Sequence, residues 1–183
     1  MATLFVDKID PQSGTSLTIG SSGDTVALTS GVVQSNLNYP AFRAEKSSNQ
    51  AIPNETFTKV TFENEVFDTN SAYDTSNSRF TIPSGMGGKY FVGANILVRN
   101  GGDINTIDYA IYINGSQDDT YRRVHDYISG TSQYQNSTFG FVLELSASDY
   151  IEIYNWHNAG GNLETNGYSS NNGTFWFAYR IGS

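Results

Sequence analysis

Between Pro40 and Val98 the chain reads Phe57-Thr58-Lys59-Val60-Thr61-Phe62, then Tyr73-Asp74, then Arg79-Phe80-Thr81-Ile82-Pro83, then Gly88-Lys89-Tyr90-Phe91-Val92. Each piece is short and rich in β-branched or aromatic residues, and turn-forming residues separate the pieces, as in successive β-strands. This spacing is typical of a sandwich that closes into a jelly roll. A jelly roll usually serves as a binding or assembly scaffold, and no catalytic signature competes with it.

The remainder of the chain follows the same pattern, and no segment shows helical periodicity. Asn114-Gly115, directly after an apolar run, predicts a tight hairpin because both residues tolerate positive φ. The fold class that we expect is all-β, a jelly-roll sandwich of about ten antiparallel strands. We predict strands at 42–45, 57–62, 79–82, 89–99, 106–113, 120–128, 134–145, 150–157 and 174–181, and a flexible loop at 158–173.

The composition limits the classes of partner. Charged residues make up 15% of the chain and aromatic residues 14%, and the net charge is −8. Because the basic residues are scattered, the positive patch that phosphate contacts require is missing, and we expect no nucleic acid partner. The chain has no cysteine, so stability must come from packing or from association with other chains.

The first residues, Met1 to Lys8, lack the basic start and the apolar run of a signal peptide. No later stretch approaches the roughly 18 apolar residues of a membrane span. We therefore expect no membrane insertion and no export through the general secretory route.

The composition changes near Gln34 to Pro40, which predicts two parts, an N-terminal β arm at 1–38 and a globular head at 39–183. In the arm a Ser-Gly turn returns every eight or nine residues, and each unit carries one short alternating strand. Such small apolar faces cannot offset the cost of ordering the segment, so the arm needs a docking partner or neighbouring copies. The residues that we expect to dock are Phe5, Leu17, Ile19, Val26 and Leu28. A disordered tail is the alternative.

From about Pro40 to Gly182 the sequence resembles the globular heads of the complement first component's q subunit, whose fold is shared with tumour necrosis factor. The resemblance rests on an ordered set of motifs: Ala41-Phe42-Arg43-Ala44, 57–62, Phe67-Asp68-Thr69-Asn70 with Tyr73-Asp74, 79–83, 88–92, Ile113-Asn114-Gly115, 145–153 and Thr174-Phe175-Trp176-Phe177-Ala178-Tyr179-Arg180-Ile181. It implies a tight homotrimer in which apolar and aromatic residues meet around a threefold axis. As interface residues we select Tyr90, Tyr112, Phe141 and Phe177; the alternative is that these aromatics are core residues.

The arm carries a second resemblance. Residues 6–14, followed by the Ser-Gly repeat, are similar to the leading segments of tail-fibre and related virion proteins of bacterial viruses. The resemblance implies a virion protein that is assembled in the host cytoplasm and released at lysis. Its partners would be itself, other virion proteins through the arm, and a glycan or protein of the host surface.

These two resemblances favour a non-enzymatic trimeric knob of a tail fibre or appendage that recognises the host surface. Two alternatives stay open, a capsid decoration protein at threefold positions and a carbohydrate-binding lectin-like domain. Loops rich in Tyr, Asn and Gly suit sugar or protein contacts. As receptor-binding residues we expect Tyr134, Trp156, His157 and Tyr168.

No residue pattern supports catalysis or a cofactor. His125 and His157 are the two histidines, and neither lies in a recognised nucleophile or metalloprotease motif. Asp118-Asp119 offers two carboxylates where calcium requires six to eight oxygen ligands. We therefore expect no enzymatic activity, no cofactor and no metal site.

Overall fold

The computed structural model describes residues 39–99, 106–117, 123–127, 134–167 and 173–182, and, in the N-terminal segment, residues 9, 13–14, 17–23, 25 and 30. For 123–127 the description covers the backbone alone. The chain divides into two compact units, Met1–Leu37 and Asn38–Ser183. All strands named below lie in the second unit.

Within the described ranges every regular element is a β-strand, which confirms the predicted fold class. The long strands coincide closely with the predicted ones, because they are long segments rich in β-branched and aromatic residues. The strands are β1 (Ala41–Glu45), β2 (Gln50–Ile52), β3 (Thr58–Lys59), β4 (Asn64–Asp68), β5 (Tyr73–Asp74), β6 (Arg79–Thr81), β7 (Gly88–Arg99), β8 (Thr106–Ile113), β9 (Ser116–Gln117), β10 (Arg123–Tyr127), β11 (Tyr134–Leu145), β12 (Tyr150–His157), β13 (Leu163–Thr165) and β14 (Phe175–Gly182).

Two antiparallel sheets form the sandwich. In the first sheet the strands are ordered β2-β13-β7-β14-β1-β4, and β11 pairs with the other side of β7. In the second sheet the order is β10-β8-β12-β6-β5, with β3 beside β12 and β9 beside β8. The chain crosses repeatedly from one sheet to the other, and the topology is that of a jelly roll.

The core lies between the sheets and is dominated by large apolar side chains. Trp176 on β14 is fully buried. Its indole meets the ring of Phe42 edge-on at 4.6 Å between centroids, and Tyr73 at 5.7 Å. Phe42 also stacks on Phe80 of the second sheet at 4.5 Å. This aromatic cluster therefore joins the two sheets. Its rings meet in the stacked and edge-on arrangements that aromatic pairs prefer.

The predicted hairpin at Asn114-Gly115 is present. Asn114 has φ of 53° and Gly115 has φ of 77°, and Ile113 pairs with Ser116 across the turn. Positive φ at both central residues defines the turn type that matches the twist of a two-residue hairpin. The Asn114 side chain also donates to Asp149 Oδ1 at 2.7 Å, which fixes the turn to the start of β12.

The structure corrects the sequence interpretation in several segments. The strand predicted at 57–62 is limited to Thr58–Lys59, and β2 and β9 were not predicted. The expected loop at 158–173 contains β13, which pairs with β2 and β7. β4, a polar edge strand, was not predicted. Its two apolar residues, Val66 and Phe67, are adjacent and do not alternate with polar ones, and both are exposed to solvent. They lie where the pairing of β4 with β1 shifts register, between Arg43 and Ala44. Short strands with little apolar alternation lack the signal that identifies a strand in sequence.

A buried lysine links β1 to the segment after β3. The Lys46 side chain has no exposed surface, and its Nζ donates to Thr61 O at 2.9 Å and to Gln50 Oε1 at 3.2 Å. Burial lowers the pKa of Lys46, while the Glu63 carboxylate at 3.3 Å opposes that shift. Its three donor hydrogens are therefore engaged within the fold.

Candidate functional site

The outward face of the first sheet carries an aromatic band, formed by Phe91 on β7 and by Phe175, Phe177 and Tyr179 on β14. The ring centroids of Phe91 lie 5.9 Å from Phe177 and 5.5 Å from Tyr179. Phe177 lies 6.4 Å from Phe175. Because these residues occupy alternate positions on neighbouring strands, all four rings lie on the side of the sheet away from the core.

Two glycines allow two rings of this aromatic band to lie close to the backbone of the sheet. Gly93 and Gly140 are opposite each other in the β7–β11 ladder. A Cβ on Gly93 would lie 2.6 Å from Cζ of Phe177, and one on Gly140 would lie 2.8 Å from Cζ of Phe91. The two rings therefore lie across bare backbone, where any other residue would push them outward.

Around the aromatic band the surface stays apolar and exposed. Val142 pairs with Phe91 and is 58% exposed, Tyr179 is 44% exposed, and Phe67 at the far edge is 47% exposed. Arg43 lies over the ring of Phe175 at 4.5 Å, a cation–π geometry. An extended exposed apolar face of this kind usually marks an interaction surface.

The outward face of the second sheet carries a different group of rings, the aromatic shelf, formed by Phe57, Tyr112, Tyr154 and Trp156. Tyr112 stacks on Tyr154 with centroids 3.7 Å apart. Phe57 lies 6.2 Å from Tyr112 and 6.3 Å from Trp156. Tyr154 pairs with Ala110 on one side and Lys59 on the other, so the shelf spans β8, β12 and the segment around β3.

A buried carboxylate lies beside the aromatic shelf. The Glu152 side chain is 3% exposed, and its Oε1 accepts from Lys59 Nζ at 3.2 Å and from Arg79 at 3.0 Å. The Arg79 guanidinium lies 3.8 Å above the ring of Tyr150. Desolvation raises the pKa of Tyr154, and the nearby Glu152 charge adds to that shift. Rings and charges therefore form one connected cluster.

The four predicted interface residues are not on one surface. Phe177 lies in the aromatic band. Tyr90, by contrast, is fully buried in the core with its hydroxyl donating to Met86 O, so the structure corrects its assignment. Tyr112 belongs to the shelf on the other sheet, and Phe141 packs partly buried against the core. Tyr90 and Phe91 are adjacent, and alternation places one inside and the other outside.

The predicted receptor-binding residues are also separated. Trp156 is part of the aromatic shelf, whereas Tyr134 begins β11 on the other sheet and is 43% exposed. His157 is fully buried, and this assignment is corrected because a side chain without exposed surface cannot meet a receptor. Tyr168, Asp118 and Asp119 lie outside the described residues.

His157 is held as a neutral imidazole inside the sandwich. Its Nε2 donates to Ile52 O at 2.8 Å, and its Nδ1 accepts from the Ala159 amide at 3.2 Å. This pairing requires the proton on Nε2. Burial lowers the pKa of His157 below its ordinary value of 6.5, although the bond to Ile52 opposes the shift.

We expect stability to fall as the pH decreases below about 6.5. The unfolded chain then binds a proton at His157 that the folded chain excludes, so the free energy of unfolding decreases toward the lowered folded pKa. Thermal denaturation between pH 7.5 and 5.5 measures this slope. His157→Gln should flatten it, and His125→Gln is the matched control. Loss of the slope in the His125 variant alone would contradict the assignment.

Of the residues expected to dock the arm, Leu17 is 44% exposed and Ile19 is 63% exposed. Phe5, Val26 and Leu28 lie outside the described residues. Docking of the arm stays a prediction.

The described residues contain no group of three or more acidic, His or Cys side chains that could hold a metal ion. They also include no helix long and apolar enough to cross a bilayer. One open cleft of about 390 Å³ lies beside β5 and β6. Asp74 lines this cleft, and its carboxylate accepts hydrogen bonds from Ser76 and Asn77 of the following turn. These hydrogen bonds lower the pKa of Asp74 to about 2.

Comparison with solved structures gives the class of fold. The globular domain of zebrafish complement 1qA protein matches 78% of this chain and 97% of its own length, with a TM-score of 0.51 and 18% identity. Murine APRIL matches 78% and 99%, with a TM-score of 0.57 and 14% identity. Eiger TNF from S. frugiperda matches 80% and 94%, with a TM-score of 0.57 and 11% identity. The domain is a jelly roll of the type found in complement 1q and tumour necrosis factor proteins.

Sequence comparison is less informative. No family model matches the chain. A curated relative, the uncharacterized protein YqcC of Bacillus subtilis (strain 168), is 30% identical over 110 residues, which is 57% of this chain. The match spans 28% of that relative's length.

Proposed function

We propose that residues 39–183 form a self-assembling binding head, a homotrimer held together by the outward face of the first sheet. One observation carries the proposal: four aromatic rings line that face, and two of them lie over paired glycines. Burial of such rings between copies is strongly favourable, at about 25 cal/mol for each Å² removed from water.

The edge of the aromatic band also favours contact with a second copy. There the Arg43 side chain is 36% exposed, its guanidinium lies 4.5 Å over the ring of Phe175, and its Nη2 contacts Glu45 at 2.9 Å. The exposed donors of Arg43 can bond to an acceptor of a second copy. The number of three copies is inferred from the sequence resemblance, whereas the choice of the first sheet as the interface is inferred from the positions of its aromatic rings.

At a finer level, the head belongs to a virion protein of a bacterial virus, a tail-fibre or appendage knob that contacts the host surface, and it has no enzymatic activity. The Ser-Gly repeat of the N-terminal arm supports this assignment, together with the bacterial source of the curated relative. In this arrangement the arm joins the head to other virion proteins, with assembly in the host cytoplasm. Capsid decoration at threefold positions is the alternative.

The absence of cysteine from the chain allows a direct test of the proposed interface. Single-cysteine variants Tyr179→Cys on the first sheet and Tyr154→Cys on the second are treated with a maleimide under native conditions. We expect Tyr179→Cys to react much more slowly, since association covers its side chain, although Tyr179 is 44% exposed in the isolated chain. Equal rates in folded protein would contradict the interface.

Mass spectrometry and electron microscopy of purified particles test the finer assignment. Density for the head at the tail supports the fibre role. Density on the shell favours capsid decoration, and absence from particles, with glycan binding in solution, favours a free lectin.

A further inference from the structure

The structure assigns a second surface: we propose that the aromatic shelf and the adjacent Lys59–Glu152–Arg79 cluster bind an oligosaccharide of pyranose rings that carries carboxylate groups. The inference deepens the proposed binding role, but it does not depend on the trimer.

The first argument is position. The aromatic shelf lies on the outward face of the second sheet, and the aromatic band lies on the outward face of the first. Association through the band therefore leaves the shelf accessible. Tyr154 and Trp156 are each partly exposed, so their rings can meet a ligand.

The second argument is the shape and chemistry of the surface. Partly exposed Tyr and Trp rings provide broad contact area with few rotatable bonds, so little conformational entropy is lost on binding. The stack of Tyr112 on Tyr154 at 3.7 Å holds two of them in place. The C–H faces of pyranose rings suit such flat aromatic groups, whereas a purely hydrophobic partner would not require the polar cluster beside them.

The third argument is the ion cluster. Glu152 is nearly inaccessible, although its position on β12 faces outward. Ion pairs with little solvent contact add little net stability, because desolvation offsets the attraction. Lys59 and Arg79 remain 30% and 34% exposed, so their remaining donors can reach a ligand.

The charge of this cluster selects the ligand class. Two cations surround one carboxylate, which leaves one positive charge in a chain with a net charge of −8. A carboxylated sugar matches both the aromatic shelf and the surplus positive charge. Its pyranose rings can stack on the aromatic side chains, and its carboxylate can accept a charge-assisted hydrogen bond from Lys59 or Arg79. One surplus charge suits a single carboxylate, whereas a long polyphosphate such as nucleic acid requires an extended positive patch.

The test uses the full chain on a glycan array that spans neutral, amino and carboxylated pyranose oligosaccharides, followed by titration of the strongest binder in solution. We expect carboxylated glycans to bind, and Trp156→Ala to weaken that binding about tenfold or more. Lys59→Met should weaken carboxylated glycans selectively while Arg79 still pairs with Glu152. Tyr39→Ala, at an exposed tyrosine just before β1 of the first sheet, is the matched control and should bind normally.

Folded protein that binds no glycan on the array would overturn the inference. So would binding that persists unchanged in Trp156→Ala, or a peptide ligand that requires the same residues. The native mass of the same samples separates the two proposals. A trimer without glycan binding rejects the shelf alone, and a monomer that binds glycan rejects the assembly alone.

Discussion

Replacement of Trp176 by alanine is expected to lower the free energy of unfolding by about 3–5 kcal/mol. Trp176 is fully buried and packs against Phe42, Phe62 and Tyr73. Its removal leaves a cavity at the junction of the two sheets, and close-packed neighbours fill such a cavity only in part. Urea denaturation followed by circular dichroism measures the change.

The other tryptophan of the chain provides the control. Trp156 lies partly exposed on the aromatic shelf, so Trp156→Ala removes less buried area and should cost roughly 1 kcal/mol. Both variants must be compared at one protein concentration, because unfolding of an oligomer is coupled to its dissociation. Equal losses in the two variants would contradict the placement of Trp176 in the core.

Replacement of Phe177 by arginine is expected to convert the assembly to a folded monomer of 20.1 kDa. The Phe177 ring lies over Gly93 in the middle of the aromatic band. An arginine there would place a charge in each interface with no opposite charge to pair with it, and desolvation of an unpaired charge is very unfavourable. Sedimentation velocity measures the loss of the larger species.

Phe57→Arg on the aromatic shelf is the matched control and should leave the assembly intact. Tyr179→Glu provides a second interface variant if Phe177→Arg does not fold, as judged by circular dichroism. A folded Phe177→Arg protein with the same mass as the unmodified chain would show that another surface mediates association.

Much of the fold could be predicted because its signals are local. Residues 134–145 and 150–157 alternate over long stretches and form strands at those bounds. Asn114-Gly115 adopts the predicted hairpin since few other pairs accept positive φ at both positions. β13 was missed because one apolar residue, Leu163, marks it, and its pairing with β7 is a long-range property.

The surfaces were harder to predict, because sequence shows alternation but not which face is inside. Tyr90 and Phe91 are equally aromatic, and their roles depend on the pairing of β7 with β11 and β14. His157 was expected at a surface strand end, yet it continues the inward positions of Ile151 and Ile153 on β12. A count along this strand, in steps of two, would have placed it inside.

The recognition surface was sought in loops, since loops commonly carry binding residues. The rings of the aromatic shelf instead gather on a sheet face, where Phe57 meets Tyr112 and Trp156 from separate parts of the chain. Such clusters form through tertiary pairing and leave no spacing pattern in the sequence.

Sedimentation equilibrium of the unmodified chain tests self-association through the first sheet most directly. Three copies of a 20.1-kDa chain give a species of about 60 kDa, which we expect to persist at micromolar concentration. A single species of 20.1 kDa under the same conditions would contradict it.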